Sequence, residues 1–402
     1  MLKKDIQLIL ENQSDYFDEE KYIIQRDILK KIKPTKGFVT IITGIRRSGK
    51  STLLKSIISK NKNNCQYLHF DDPRLLSFGI EDFYTIEEIC GKSTIYYYDE
   101  LHQVKTWERY IRHACERNIE LTITGSNASM LSTELATLLT GRHLSYELFP
   151  YNYKEYLSSN SLKNNIEQLK NYMIEGGFPE FQRSKNREIH RQLLKDIIDR
   201  DIIARYSIRD AYAFMQVTMH LINNIARPMT YRKLARSYGI KSVNTVITYM
   251  QYLENAYLFF IIHKYDRSYK KQQSNEKKIY AIDNGLVVSN TIKIQDDHGR
   301  LFENMIFLHL RQQYDQVHYY KNVGECDFIV SQNGKPTCCY QVCYDLNRHN
   351  QEREVNGLTE AMTDLNLKKG YIVTLDQNDK MKQDKVTINI ISADKLFNIR
   401  TK

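Results

Sequence analysis

The stretch Gly44-Ile45-Arg46-Arg47-Ser48-Gly49-Lys50-Ser51 constrains this chain more than any other. An apolar run, Phe38-Val39-Thr40-Ile41-Ile42, precedes it, and a segment with helical spacing, Thr52 to Ile58, follows it. A strand that ends in G-x-x-x-x-G-K-S and opens a helix aims successive backbone N–H groups and the positive end of that helix at an anion. Gly44 and Gly49 permit the tight turn. Lys50 then reaches the β- and γ-phosphates of a nucleotide and the Ser51 hydroxyl ligates Mg2+, with Arg46, Arg47, Ser48 and Thr52 completing the cradle. A glycine-rich turn alone would bind nothing; the Lys-Ser pair and the two flanking elements carry the reading. ATP and Mg2+ are the expected ligands.

Downstream, strands alternate with helices. Cys65 to Phe70, Thr94 to Glu100 and Glu120 to Thr124 read as strands, with helices expected over Gly79 to Cys90 and Trp107 to Arg117. The apolar run of Thr94-Ile95-Tyr96-Tyr97-Tyr98 suits a strand covered on both faces, so a doubly wound parallel α/β domain is expected over residues 1–150. Asp99-Glu100 closes that strand. Asp99 would hold Mg2+, directly or through water, and Glu100 would polarise the attacking water as general base. Two carboxylates at a strand end can also cap the next helix, but the preceding P-loop favours the nucleotide role. Thr124 and Asn127, at the next strand end, are expected near the γ-phosphate. Open parallel sheets bind ligands at the carboxyl ends of their strands, where all these motifs fall. Arg142 is either the arginine that stabilises charge on the transferred phosphoryl, in cis or from a neighbouring subunit, or a plain surface residue.

Before the P-loop a helix is expected from Lys21 to Lys33, ending at Pro34. After it, residues 151–210 read as a helical lid or linker: helices over Tyr153 to Leu157 and Ile166 to Glu175, a break at Gly176-Gly177-Phe178-Pro179, and a long charged helix from Ile189 to Tyr206. Residues 211–283 read as a winged helix-turn-helix. Thr230 and Ser242 cap two helices around a Gly239 turn, and Leu234, Ala235, Val243, Val246, Ile247, Met250 and Leu253 form their inward stripe. The second helix would offer Lys241, Asn244, Thr245 and Thr248 to a major groove, while Lys270 and Lys271 in a basic wing would meet phosphates. Between Arg227 and Lys278 there are eleven Lys and Arg against three acids, an excess of eight within a chain of net charge +10. So local an excess favours double-stranded DNA as a partner, the other reading being a lid or protein-docking module. Residues 284–402 return to α/β character, with Gly285 to Gly299 expected as a hinge or loop.

The mean hydropathy of −0.54 and the short longest apolar run, Ala256 to Ile262, predict no membrane span. Met1-Leu2-Lys3-Lys4-Asp5 opens no signal peptide, and seven irregularly spaced cysteines point to reduced thiols in a cytoplasmic protein. Cys338, Cys339 and Cys343 lack a second pair at zinc spacing and read as packed residues of a strand.

The P-loop with its paired arginines and Thr52-Leu53-Leu54, the Tyr98-Asp99-Glu100 strand end, Thr124-Gly125-Ser126, Leu139-Thr140-Gly141-Arg142 and Phe149-Pro150-Tyr151 resemble the prokaryotic AAA-type ATPases that carry a C-terminal domain of unknown function. The likeness runs from about residue 20 to 395. It implies nucleotide roles for Lys50, Ser51, Asp99, Glu100 and Arg142, and a C-terminal domain similar to the restriction-endonuclease-like fold. In active members of that fold, an acid on a strand and a second acid or Gln followed two residues later by Lys hold Mg2+ and activate water. Asp327 and Gln341 match those metal positions, and Glu303 in the helix Leu301 to Gln312 belongs to the same resemblance and to the possible vestigial site, but residue 343 is Cys where Lys is expected. Lys321 could substitute by folding back. A vestigial site that binds or scaffolds without cutting is therefore expected. The whole reading is an Mg2+-dependent ATPase coupled to DNA; the alternatives are a nucleotide-dependent protein-docking switch, as homo-oligomer or with a protein partner, and an ATP-fuelled nuclease.

Overall fold

The computed structural model describes residues 1–14, 24–59, 64–91, 94–127, 139, 141–291, 297–383 and 386–399. Thr140 and the first part of the expected Lys21 to Lys33 helix lie outside them. The chain divides into two units, Met1–Pro150 with Asn255–Tyr257, and Tyr151–Glu254 with Leu258–Lys402.

The first unit is built on five parallel strands: β1 (Val39–Thr43), β2 (Cys65–His69), β3 (Ile95–Asp99), β4 (Leu121–Gly125) and β5 (His143–Glu147), in the order β2-β3-β4-β1-β5. Successive side chains leave opposite faces of a strand, so Ile41, Tyr96, Tyr98 and Ile123 enter one core and Ile42 and Tyr97 enter the other. Helix Lys50–Ile58 buries Leu53, Leu54, Ile57 and Ile58 on the second face, while Ile80–Cys90 and Trp107–Glu116 cover the first with Phe83, Tyr110 and Ile111. Both faces are thus sealed, which accounts for the near-continuous apolar strands. The expected helix ending at Pro34 is not formed over its described part: only Asp27–Lys30 winds, as one 3-10 turn.

The second unit begins with helices Tyr153–Ser159, Ile166–Glu175, Pro179–Ser184 and Glu188–Asp196, the last continuing as a π-helical segment, Ile197–Ala204. Helix Ala211–Asn223 follows, then β6 (Pro228–Met229), helices Tyr231–Ser237 and Val243–Asn255, β7 (Phe259–His263) and β8 (Lys277–Ala281), the strands pairing in the order β6-β8-β7. Thr230 Oγ1 accepts from Lys233 N at 3.2 Å and Ser242 Oγ from Asn244 N at 3.2 Å, as the capping pattern requires. The stretch between β7 and β8, expected as a plain basic loop, contains a short helix, Tyr269–Ser274.

The hinge or loop expected between Gly285 and Gly299 is helical over most of its described residues, and residues 292–296 of it lie outside them. Asp283 caps a buried helix, Asn284–Asn290, by accepting from Leu286 N at 2.9 Å, and helix His298–Arg311 begins just beyond. Gly285 serves close packing instead: a Cβ there would stand 1.9 Å from Glu175 O. Asp283 Oδ2 also accepts from Gly177 N at 2.6 Å, tying the Gly176-Gly177 break to this helix. The chain closes on a six-stranded mixed sheet of β9 (Gln316–Lys321), β10 (Glu325–Gln332), β11 (Lys335–Val342), β12 (Lys369–Thr374), β13 (Asp379–Gln383) and β14 (Val386–Ser392), ordered β13-β14-β12-β11-β10-β9. Helix Gln351–Asp364 makes the crossover between the parallel pair β11 and β12. No helix among the described residues is long and apolar enough to cross a membrane.

Candidate nucleotide-binding site

The carboxyl ends of β1, β3 and β4 lie side by side, because β4 pairs with both β1 and β3. Gly44 follows β1 with φ +151, and Gly49 has φ +96. A Cβ on Gly44 would come within 2.2 Å of Leu148 O, so the turn passes too close to the neighbouring chain for any larger residue. Helix Lys50–Ile58 starts directly after Gly49. Lys50 Nζ, 4% exposed, turns back to donate to Gly44 O at 3.1 Å and Ile45 O at 3.3 Å, and it stands 3.5 Å from Glu100 Oε1. The buried Ser48 Oγ has no hydrogen-bond partner among the described residues. Ser51 lines a cavity of about 280 Å3 with Lys55, Tyr67, His69, Asp71 and Arg74.

Asp99 is fully buried at the end of β3. Thr124 Oγ1 donates to its Oδ1 and also accepts from Glu100 N at 3.0 Å, so one hydroxyl sets both carboxylate residues. Tyr67 Oη donates to Asp99 Oδ2 at 2.9 Å, with His69 Nε2 at 3.9 Å. Glu100 takes up a left-handed conformation, φ 53, uncommon for a residue with a side chain and concentrated at functional sites. His102 Nδ1 stands 3.2 Å from its Oε2. Burial works to raise the Glu100 pKa, but the Lys50 ammonium and the His102 contact outweigh it and hold the carboxyl well below its usual range. Arg26, buried, donates to Ser48 O at 3.0 Å and Phe149 O at 2.5 Å and so braces the loop from below. Tyr257 Oη meets Thr43 Oγ1 at 2.7 Å, one residue before the loop.

These residues fit a nucleotide phosphate: a turn that excludes any Cβ, an ammonium resting on carbonyls, an orphaned hydroxyl and a carboxylate pair. Ser51 and Asp99 offer the hard oxygen donors that Mg2+ takes. Both Asp99 oxygens already accept protein hydrogen bonds, which favours a water-mediated role.

Lys50, Asp99, Glu100 and Thr124 come together as the motifs imply. Arg142 does not join them. Its carbonyl accepts from Val39 N at 3.1 Å, and β5 begins beside the start of β1, so it stands at the amino end of the sheet, roughly 13 Å of strand from the loop. Its backbone thus lies at the opposite end of the strands from Lys50 and Asp99. Sequence reasoning missed Tyr67, His69, His102 and Arg26. Tyr67 and His69 carried a signal, since alternate polar residues ending a strand share one face.

Among known proteins, residues 36–157 match the AAA domain family, residues 166–297 a domain of unknown function, DUF8612, and residues 298–395 another, DUF4143. An uncharacterized protein of Methanocaldococcus jannaschii is 31% identical over 89% of this chain and 86% of its own length. The chain belongs to this family of AAA-type P-loop proteins with C-terminal domains of unknown function. A further member, an uncharacterized protein of Haemophilus influenzae, is 27% identical over 79% of this chain and 85% of its own. Among solved structures, the Thermotoga maritima RuvB Holliday junction branch migration motor is 17% identical, covering 68% of this chain and 92% of its own with a TM-score of 0.31. Cdc6p from Pyrobaculum aerophilum is 11% identical, covering 73% and 98% with a TM-score of 0.30. For this AAA-type chain, nucleotide binding at the P-loop follows from the family and from the site alike.

Proposed function

We propose that this AAA-type protein hydrolyses Mg2+-bound ATP in its first unit and couples turnover to association with duplex DNA through its second. The convergence of Lys50, Asp99, Glu100 and Thr124 at neighbouring strand ends carries the first part. In this reading Lys50 exchanges the Gly44 and Ile45 carbonyls and the Glu100 carboxylate for the β- and γ-phosphates. That exchange frees Glu100 to accept a proton from the attacking water, with His102 steadying its other oxygen. Mg2+ held by Ser51 and, through water, by Asp99 would neutralise phosphate charge. Arg46, Arg47 and Thr52 flank the phosphates. Arg142 acts only from a neighbouring subunit.

The order helix, strand, helix, helix, strand, short helix, strand over residues 211–281 supports a winged helix-turn-helix, with Lys241, Asn244, Lys270 and Lys271 exposed and Thr245 half-buried. The meander β9-β10-β11 and the parallel crossover to β12 support an endonuclease-like domain over 284–402 that binds or scaffolds, after a helical segment over 151–210. The cysteine pattern accords with a cytoplasmic setting.

ATP turnover by the full chain, with and without duplex DNA, tests the proposal beside Lys50→Ala. Turnover should rise with DNA and fall by at least about 10²-fold in the variant, the scale of losing one preorganised charge contact. Absence of turnover in the wild type would overturn the ATPase reading. Turnover indifferent to DNA would overturn the coupling and leave a protein-docking switch.

A further inference from the structure

The acidic cluster of the C-terminal domain has a lysine at its centre, supplied by a strand far from the expected position. Glu303 on helix His298–Arg311, and Glu325 and Asp327 on β10, converge on Lys278 Nζ of β8 at 3.2, 2.8 and 3.1 Å. An ammonium carries three N–H donors, and here three carboxylates stand ready to take one each. Lys278 is 2% exposed, and the Tyr319 ring, its centroid 5.7 Å away, closes the remaining side. The carboxylates are held in turn. Tyr280 Oη donates to Glu303 Oε1 at 2.6 Å, and Val342 N to Asp327 Oδ2 at 3.0 Å. Gln341 Oε1 accepts from Asp327 N at 3.2 Å, while its Nε2 donates to the buried Glu354 at 2.5 Å. Neither Cys343, at the position where Lys is expected, nor Lys321, the substitute considered from the sequence, joins the cluster. Cys343 Sγ turns to Asp345 O at 3.2 Å, and Lys321 Nζ lies 3.9 Å from Glu276.

A divalent ion bridging Glu303 and Asp327 would have to stand where this ammonium stands, or beside it against strong like-charge repulsion in a low-dielectric site. Among the described residues, no group of three or more His, Cys, Asp or Glu is arranged to hold a metal. We propose that Lys278 fills the cation position of this carboxylate cluster permanently, making it a metal-refractory latch that fastens β8 to helix His298–Arg311 and to β10. Gln341 and Glu354 are then positioning residues that keep Asp327 aimed at the ammonium. The latch stands independently of the nucleotide reading and removes the ATP-fuelled nuclease from consideration, because Mg2+ has no place at these acids.

The test uses the full chain without nucleotide and Mn2+ as probe, followed by Mn2+ electron paramagnetic resonance and by thermal unfolding. Wild type and Asp327→Asn should bind equal amounts of Mn2+, and Mn2+ should not raise the wild-type unfolding temperature. Lys278→Ala should unfold several degrees lower, gain one Mn2+ site about tenfold or more tighter than any in wild type, and regain unfolding temperature with Mn2+. Lys278→Ala combined with Asp327→Asn should lose that site. A Lys278→Ala chain that folds only with Mn2+ supports the proposal equally. Wild-type Mn2+ binding that Asp327→Asn abolishes overturns it, as does a Lys278→Ala chain that gains no Mn2+ site. Should Lys278→Ala not fold under any condition, the comparison of wild type with Asp327→Asn decides by itself.

Discussion

Glu100 shows how much of a site rests on one residue's surroundings. Its carboxylate is held ionised by Lys50 and His102, its backbone is left-handed, and its N–H is fixed by the Thr124 hydroxyl. Glu100→Gln keeps the shape and removes the proton acceptor. Single-turnover hydrolysis should therefore slow by about 10²–10⁴-fold while a nucleotide titration finds ATP affinity retained. An equal loss of affinity would make Glu100 a structural partner of Lys50 and no base. The proposed role of Glu100 is legible from its place after an apolar strand. The Thr124 and His102 contacts are not, because they depend on which strands are neighbours and on a turn conformation that no propensity favours.

Among the elements, the helices of the second unit are joined by buried polar groups whose titration sets a pH dependence. His190, fully buried, shares its Nδ1 with Ser289 Oγ at 3.0 Å and stacks on Phe181 at 4.5 Å between ring centroids. Burial, helped by the Arg187 charge, brings its pKa down to about 4. The unfolded chain binds a proton near 6.5, so the stability His190 confers is complete above that pH and is lost as pH falls toward 4. Glu254 has the opposite sign: burial raises it to about 7, and its contribution fades as pH rises from about 4.5 toward 7. Between pH 6.5 and 4, His190→Gln should flatten the fall of unfolding free energy by up to about 1.4 kcal/mol per pH unit, measured by urea titration. Parallel curves for wild type and variant would show that His190 titrates normally. The Gly176-Gly177 break is readable from the sequence, whereas its partner Asp283 is not. A distant carboxylate that replaces a missing Cβ leaves no local trace.

At the scale of the whole molecule, charge is the property that depends most on folding. Of the eleven basic residues between Arg227 and Lys278, Lys277 and Lys278 are buried, the first donating to Gln273 O and Asn275 O and the second held by carboxylates. Neither can meet a phosphate, so the basic surface is narrower than the composition implies. Lys270 and Lys271 remain exposed on it. Replacing both with Ala should lower the slope of log affinity for duplex DNA against log salt by about 2 and leave DNA-free ATP turnover unchanged. An unaltered slope would take these two lysines out of any DNA contact. The division at Pro150 is legible as a change from strand-helix alternation to helices, and the later segments fall together in one unit.

The amino-acid sequence by itself determined the P-loop, the parallel sheet around it and the carboxylates at the end of β3, because turn geometry, apolar periodicity and strand ends are local. Tertiary structure decided what the charged residues do. Strand order set Thr124 beside Asp99 and carried Arg142 to the far end of the sheet, and the fold brought Lys278 to acids 25, 47 and 49 residues further along the chain. Pairings at that separation are chosen by the packing of whole sheets, and a buried charge takes its partner from whatever that packing delivers.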